Sequence, residues 1–312
     1  MSVLKILVNA IFIISLIGAL ALTALFFYGA FNPESKTFSL QNYKAFEKAL
    51  ENVSSEITQF LPNMRFNHND ISYYIEPDCS ETKKKRFENA LFLISDKTGI
   101  ISFYPGAKTT ADMGVGCSKE SIEEVKNVFV AGEGGPTQYL DLKLYPVIKK
   151  GEVLLYEESN CDYPVTELHE LLHVFGFDHI NKREEILYPY VECNQNIPEE
   201  VINELKRLYS IKPMAELYFS NLTASKKGFF LSFDVGIINE GLVDAKSVML
   251  EVYAGNEKID VFNLDNIEFG TRVQYTAANV KLPYSQTNDI TFNIVTVTDE
   301  FDKANNIAKL SL

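Results

Sequence analysis

Three of the chain's four histidines fall in one short run, His169-Glu170-Leu171-Leu172-His173-Val174-Phe175-Gly176-Phe177-Asp178-His179. The run fits the pattern H-E-x-x-H-x-x-G-x-x-H. On a helix, residues four apart share a face, so His169 and His173 can grip one ion between them. Gly176 can take the left-handed conformation that ends a helix, and the chain then turns back to offer His179 as a third ligand. Three neutral imidazoles around Zn²⁺ leave one tetrahedral position open, the arrangement of a catalytic site rather than a structural one. Glu170 is no ligand in this reading. It is the general base, placed to take a proton from an attacking water and deliver it to a leaving amine. H-E-x-x-H alone recurs by chance in helices. Histidines held in a core for packing, however, have no reason to recur at four and then six residues with a helix breaker between them.

The run resembles the metzincin metallopeptidases, and the matrixin-like branch in particular. That family continues from its third histidine to an apolar "Met-turn", and here the corresponding stretch is Ile186-Leu187-Tyr188-Pro189-Tyr190. The departure is Leu187, where the family has Met. The resemblance implies that this side chain floors the ligands without binding metal, and Leu nearly conserves the volume of Met. It also implies that a substrate pocket lies at Tyr188, Pro189 and Tyr190. The likeness covers about residues 66–212, and its specific motif is confined to 169–190.

Several elements must position that run. Residues 71–75 read as a strand, and Asp78 with Glu81 reads as a capping box that opens a helix. Phe87, Ala90, Leu91 and Ile94 mark one apolar face of that helix, and Gly99 ends it. Residues 100–104 return as a strand, with further strands at 111–115 and 153–156. Lys149-Lys150-Gly151 reads as the turn leading into the last of these. Strand, long helix, strand is how the matrixin catalytic domain begins. In that family an edge strand upstream of the zinc helix pairs with extended substrate. Residues 132–139 and 153–156 are both candidates for that edge. Asn196 caps and Pro198 opens a closing helix, whose buried face is Val201, Ile202, Leu205, Leu208 and Tyr209.

The flanks add location. Residues 6–28 are almost purely apolar and long enough to cross a bilayer core of about 30 Å, which predicts a transmembrane anchor. Their length exceeds the apolar region of a cleaved signal peptide, although Tyr28-Gly29-Ala30 leaves cleavage open. Phe46, Leu50, Val53, Ile57 and Phe60 recur at helical steps and predict a stalk helix within 35–65. All four cysteines lie in the candidate catalytic region. An even count behind an export segment predicts two disulfides and an oxidising compartment. Cys161 and Cys193 flank segments that must meet at the metal, which pairs them and leaves Cys79 with Cys117. Two sequons, at Asn52 and Asn221, suit an exported chain.

From residue 215 the texture changes. Seven runs rich in Val, Ile, Phe and Tyr (215–224, 229–239, 247–254, 258–264, 272–282, 289–298 and 306–312) are separated by turn residues. They predict an immunoglobulin-like β-sandwich over 215–312. Asn239-Glu240-Gly241, Val252-Tyr253, Asp299-Glu300 and Asn305-Asn306 resemble the CARDB family of prokaryotic surface domains. A spacer role and a ligand-binding role both suit such a domain.

The expected fold is therefore a transmembrane helix, an α+β metzincin catalytic domain with a twisted sheet, and an all-β sandwich. A net charge of −13 excludes a nucleic-acid partner, because phosphates would repel this surface. No Asp-x-Asp-x-Asp run marks a calcium loop, so zinc is the one ion expected and calcium is left open. His68, outside the motif, reads as a solvent-exposed loop residue. Two functions follow from these features. One is a membrane-anchored extracellular zinc endopeptidase with a peptide or protein substrate. The other is an inactive surface adhesion or scaffold protein that keeps the fold. Substrate identity and oligomeric state are not written in the residues.

Overall fold

The computed structural model describes residues 36–37, 56–118, 122–125, 128–156, 161–283 and 288–312. The described chain is mostly β with three α-helices, and it divides into two compact units. One holds Ser35–Met214 together with Glu240–Val243, and the other holds Ala215–Asn239 and Asp244–Leu312. The expected division at 215 is therefore crossed by one short segment, Glu240–Val243, which belongs with the first unit.

The first unit is built on a mixed seven-stranded sheet. Its strands are β1 (Lys36–Thr37), β2 (Arg65–Phe66), β3 (Asp70–Ile75), β4 (Ser102–Pro105), β5 (Met113–Cys117), β8 (Gly132–Leu140) and β9 (Val147–Leu155). The order is β1-β8-β9-β5-β3-β4, and β2 pairs with β9. β3, β4, β5 and β9 run parallel, while β8 is antiparallel to β9. A separate hairpin, β6 (Ile122–Val125) with β7 (Val128–Val130), precedes β8. Three helices complete the unit: α1 (Glu81–Thr98), α2 (Val165–Val174) and α3 (Glu199–Ser210).

α1 starts at Ser80, whose hydroxyl accepts from the Lys83 amide, so Ser80 and not Asp78 is the cap. It ends at Gly99, which takes φ 69° as a left-handed cap. Its apolar face, Phe87, Ala90, Leu91 and Ile94, is buried in one core with Leu168, Leu171 and Leu172 of α2 and Leu205 and Leu208 of α3. Lys83 is also buried there. Its ammonium donates to the carbonyls of Ser118, Leu155 and Tyr156, and this set of acceptors offsets much of its desolvation. α3 begins at Glu199, with Pro198 itself at the cap position; Asn196 sits in the preceding loop and does not cap the helix.

Two further expectations are corrected. Lys149-Lys150-Gly151 is no turn but the middle of β9. Gly151 is there because Val174 of α2 crosses it: a Cβ would fall 2.4 Å from Val174 Cγ1. The stalk helix also fails where it can be seen. Lys36–Thr37 is a strand, and residues 56–64 form a loop, with Asn63 at φ 63°, that leads into β2. Gln59 bridges to Phe177, so Ile57 and Phe60 belong to the first unit and to no separate stalk. The expected span at 6–28 and the sequon at Asn52 lie outside the described residues. Among the described residues no helix is long and apolar enough to cross a membrane.

The second unit is a β-sandwich. One sheet has the order β10 (Leu217–Lys227), β11 (Phe230–Asn239), β14 (Arg272–Lys281). The other runs β13 (Glu257–Ile267), β12 (Ala245–Ala254), β15 (Asp289–Val295), β16 (Ile307–Ser311). Alternating residues of β11 (Leu231, Phe233, Val235, Ile237) and of β12 (Val248, Leu250, Val252) are buried, as two facing sheets require. Phe233 meets Phe292 across the core at 5.0 Å between ring centroids. The sequon residue Asn221 is half-buried. Its amide donates to Asp234 and its oxygen accepts from Arg272, so it does not stand free as a glycan acceptor.

Candidate metal centre

α2 is the central helix of its unit, and every residue from Val165 to Val174 is buried. No side chain caps the helix at Pro164. Arg86 of α1 fixes the segment that leads into it, donating to the carbonyls of Cys161 and Tyr163. The same guanidinium forms a two-pronged pair with Glu167, at 2.9 and 3.2 Å. The disulfide Cys161–Cys193, with Cα atoms 5.1 Å apart, ties this entrance to the loop beyond the metal residues. Cys79–Cys117, at 5.2 Å, joins the start of α1 to the end of β5. Both pairings are those the sequence suggested.

His169 and His173 project from one face of α2. Gly176 then turns the chain at φ 84°, and its amide bonds back to the His173 carbonyl. His179 returns to the same point. The three Nε2 atoms converge, with 2.9 Å between His169 and His173 and 3.2 Å from each to His179. Nitrogens held about 2.0–2.1 Å from one ion at tetrahedral angles sit about 3.3–3.4 Å apart. The observed triangle is close to that size.

The outer nitrogens decide the chemistry. His169 Nδ1 lies 2.5 Å from the Ile186 carbonyl, and His173 Nδ1 lies 2.7 Å from the Phe177 carbonyl. A carbonyl only accepts, so each Nδ1 carries the hydrogen and each neutral ring presents a bare lone pair at Nε2. Lone pairs on nitrogens 2.9 Å apart in a buried site repel unless a cation lies between them. Burial holds His169 down to about 4 and His179 down to about 3. His173 is pushed well below its ordinary value by burial and by its two neighbours. All three are therefore neutral at neutral pH, the form that binds metal. The donor set fits a divalent ion with nitrogen preference, and no other group of three such side chains converges among the described residues.

Glu170, next to His169 in the sequence, is buried. β8 presses on it: a Cβ at Gly132 would fall 2.9 Å from Glu170 Oε1, and one at Gly134 would fall 2.3 Å from its carbonyl oxygen. The glycines let strand and helix approach closely. Of the two candidate edges, β9 is paired on both sides, whereas β8 is paired on its side away from β9 only at Gln138 and Tyr139, with β1. β8 also carries Pro136, which a central strand would not tolerate. Leu187 is fully buried, and its carbonyl accepts from the Ile180 amide just past His179. Tyr188 and Tyr190 stand 5.8 Å apart with tilted rings, and Tyr190 is exposed.

His68 corrects an expectation. It is half-buried and bonded on both nitrogens, to Asn67 Oδ1 and Asp112 Oδ2. Asp112 also accepts from the Ser72 amide and hydroxyl. Burial works against its charge, but the bonds from His68 and Ser72 outweigh that and hold it at about 2. Ser72 and His68 both bond the carboxylate and not each other, so this is a structural knot and no nucleophilic triad.

No family model and no curated protein matches the chain. Solved structures do. The CARDB domain of the PF1109 protein from Pyrococcus furiosus, in complex with di-metal ions, is 13% identical with a TM-score of 0.26, covering 32% of this chain and 87% of that one. A 272–376 domain from Methanosarcina acetivorans, of a protein named for the cell surface, is 16% identical with a TM-score of 0.27, covering 31% and 89%. The first of these neighbours is a CARDB domain. Each covers about a third of the chain.

Proposed function

We propose that the chain is a membrane-anchored, extracellular, zinc-dependent endopeptidase of the matrixin-like metzincin kind. The observation that carries this reading is the convergence of three Nε2 lone pairs, two of them on rings whose outer nitrogens are fixed on carbonyls, with a buried carboxylate next to the first ligand in sequence. His169, His173 and His179 would hold the ion. Bound zinc supplies Lewis acidity and lowers the pKa of water from 15.7 to about 7. Glu170 takes the proton of the attacking water and passes it to the leaving amine as the peptide bond breaks. The outer side of β8 near Gly132 and Gly134 holds the extended peptide by main-chain bonds, and Tyr188, Pro189 and Tyr190 wall the pocket for the residue after the scissile bond. Leu187 floors the ligands.

Location rests on the apolar run at 6–28 and on the two disulfides, which suit an oxidising compartment. The sandwich is a spacer in this account. One observation favours the second reading, an inactive scaffold: Leu187 stands where the family has Met. Incubating the zinc-loaded chain with a broad peptide library distinguishes the two. Chelator-sensitive cleavage supports the peptidase, and stoichiometric zinc with no cleavage supports the scaffold.

A further inference from the structure

The β10–β11 hairpin ends in an aromatic pair that the sandwich core does not use. Lys227 pairs with Phe230 across a two-residue loop, Gly228-Phe229, with Gly228 at φ 61°. A glycine first in such a loop leaves the second place open to any residue, so nothing in the turn asks for an aromatic there. Phe229 and Phe230 are nonetheless 50% and 48% exposed. Leu231 and Phe233 point into the core, so Phe230 faces outward. Apolar side chains scattered singly over a surface need no explanation, but two in sequence at a hairpin tip form a patch.

The charges around the pair are of one sign. Lys227, Phe230 and Lys281 stand opposite one another on three adjacent strands and share one face of the sheet, about 4.8 Å from strand to strand. Lys226 lies beside them and donates to Asn288 Oδ1 at 2.6 Å. The strands β10, β11 and β14 carry Lys226, Lys227, Arg272 and Lys281 against one acid, Asp234. That acid accepts from Asn221, Gln274 and Thr276, away from the tip. In a chain of net charge −13, a basic sheet end departs from the background. The acids at the same end, Glu257 and Asp289, belong to the other sheet, and Asp289 accepts from the Ser311 hydroxyl. β10 is 11 residues long, so the tip lies roughly 35 Å from the point where the chain enters the sandwich.

We propose that this tip docks on an anionic lipid surface, with Phe229 and Phe230 entering the interface and Lys226, Lys227 and Lys281 meeting headgroup phosphates. A surface-bound segment buries its aromatic and apolar side chains at the boundary of headgroups and acyl chains. Lysine lays its stem along the apolar layer while its ammonium stays in the polar one. Each lysine near an anionic leaflet adds an attraction that falls off within a Debye length. Two features of the chain itself argue for this partner. The sign of the charge suits headgroup phosphates, and the apolar run at 6–28 suits a chain held at a bilayer. The inference does not depend on the peptidase reading, and it gives the sandwich a contact of its own.

The chain has no tryptophan, so Phe229→Trp supplies one indole that reports from the tip alone. The test reconstitutes the full chain carrying this substitution in vesicles of phosphatidylcholine, with and without phosphatidylglycerol, using lipids brominated on their acyl chains as quenchers. On the anionic vesicles the indole emission should shift to shorter wavelength and be quenched. Adding Lys227→Gln and Lys281→Gln should lower the ratio of docked to free tip roughly tenfold, and high salt should lower it as well. All three positions are exposed, so these substitutions leave the core untouched. An indole that is not quenched on anionic vesicles overturns the inference, as does equal quenching with and without the anionic lipid or the two lysines. A shift without quenching would mean that protein covers the tip, a second copy of the chain for instance, and overturns it too.

Discussion

Gly134 lies so close to Glu170 that a Cβ on the glycine would fall 2.3 Å from the Glu170 carbonyl oxygen. That oxygen is main chain of the helix that carries the histidines, so it cannot rotate away. Gly134→Ala must therefore push β8 off α2. Overpacking of this kind costs about 1–3 kcal/mol. Because the histidines are untouched, zinc content should stay near one per chain while cleavage falls, since the peptide edge and the general base separate. Urea unfolding with metal analysis checks both halves, and a fully active Gly134→Ala protein would place the substrate elsewhere.

Arg86 and Glu167 make the second test. Glu167 is buried and Arg86 partly so, and Arg86 also satisfies two carbonyls ahead of α2. Arg86→Ala leaves the Glu167 carboxylate buried and unpaired, which should cost about 3–5 kcal/mol. Arg86→Lys should recover only part of this, because an ammonium cannot make the two-pronged contact. Denaturant midpoints of the three proteins decide it; equal midpoints for wild type and Arg86→Ala would mean that α2 needs no such support.

Asp112 gives a pH dependence with a definite sign. Its folded-state pKa, about 2, lies below the ordinary 3.8. The group therefore stabilises the fold at pH above its unfolded value, and this contribution is lost as pH falls from about 4 through 2. Because the carboxylate is partly open to solvent, screening reduces the contribution to about 1–2 kcal/mol. In zinc-free protein, Asp112→Asn should be less stable than wild type by that amount at pH 7, and the gap should close by pH 2. A gap that does not change with pH would show that the carboxylate charge contributes nothing.

Leu187 is fully buried, and Met nearly conserves its volume. Leu187→Met should shift stability by less than about 1.5 kcal/mol and leave turnover unchanged. A large gain in turnover would mean that leucine at this position limits the enzyme.

Much of this is legible in the residues, for physical reasons. The metal triangle is local: two ligands a helical turn apart and a glycine that reverses the chain lie within one run, so spacing alone places them. The sandwich strands follow from runs of β-branched and aromatic residues between turn residues, Cys161–Cys193 from which segments must meet at the metal, and Cys79–Cys117 as the pair that remains. What the residues do not disclose depends on non-local contact. Gly151 looks like turn chemistry because only the crossing of Val174 explains a glycine inside a strand. The same holds for Gly132 and Gly134, although a glycine-rich run within a strand is an available signal for close approach. Ile57 and Phe60 carry helical spacing, yet Pro62 and Asn63 break the helix and the Gly176 carbonyl draws the segment onto the turn before His179. His68 reads as exposed because Asp112, its partner, is distant in sequence.

The most direct test of the central claim is zinc content measured alongside cleavage of a generic peptide, for wild type, Glu170→Gln and His173→Ala. Wild type should hold about one zinc and cleave. Glu170→Gln keeps all three ligands and should hold the same zinc while turnover falls about 10²–10⁴-fold, the range of general acid–base catalysis. His173→Ala should lose both metal and activity, and stability with them, because the metal couples to folding. A wild-type chain that holds stoichiometric zinc and cleaves nothing, or a Glu170→Gln chain as active as wild type, would contradict the account.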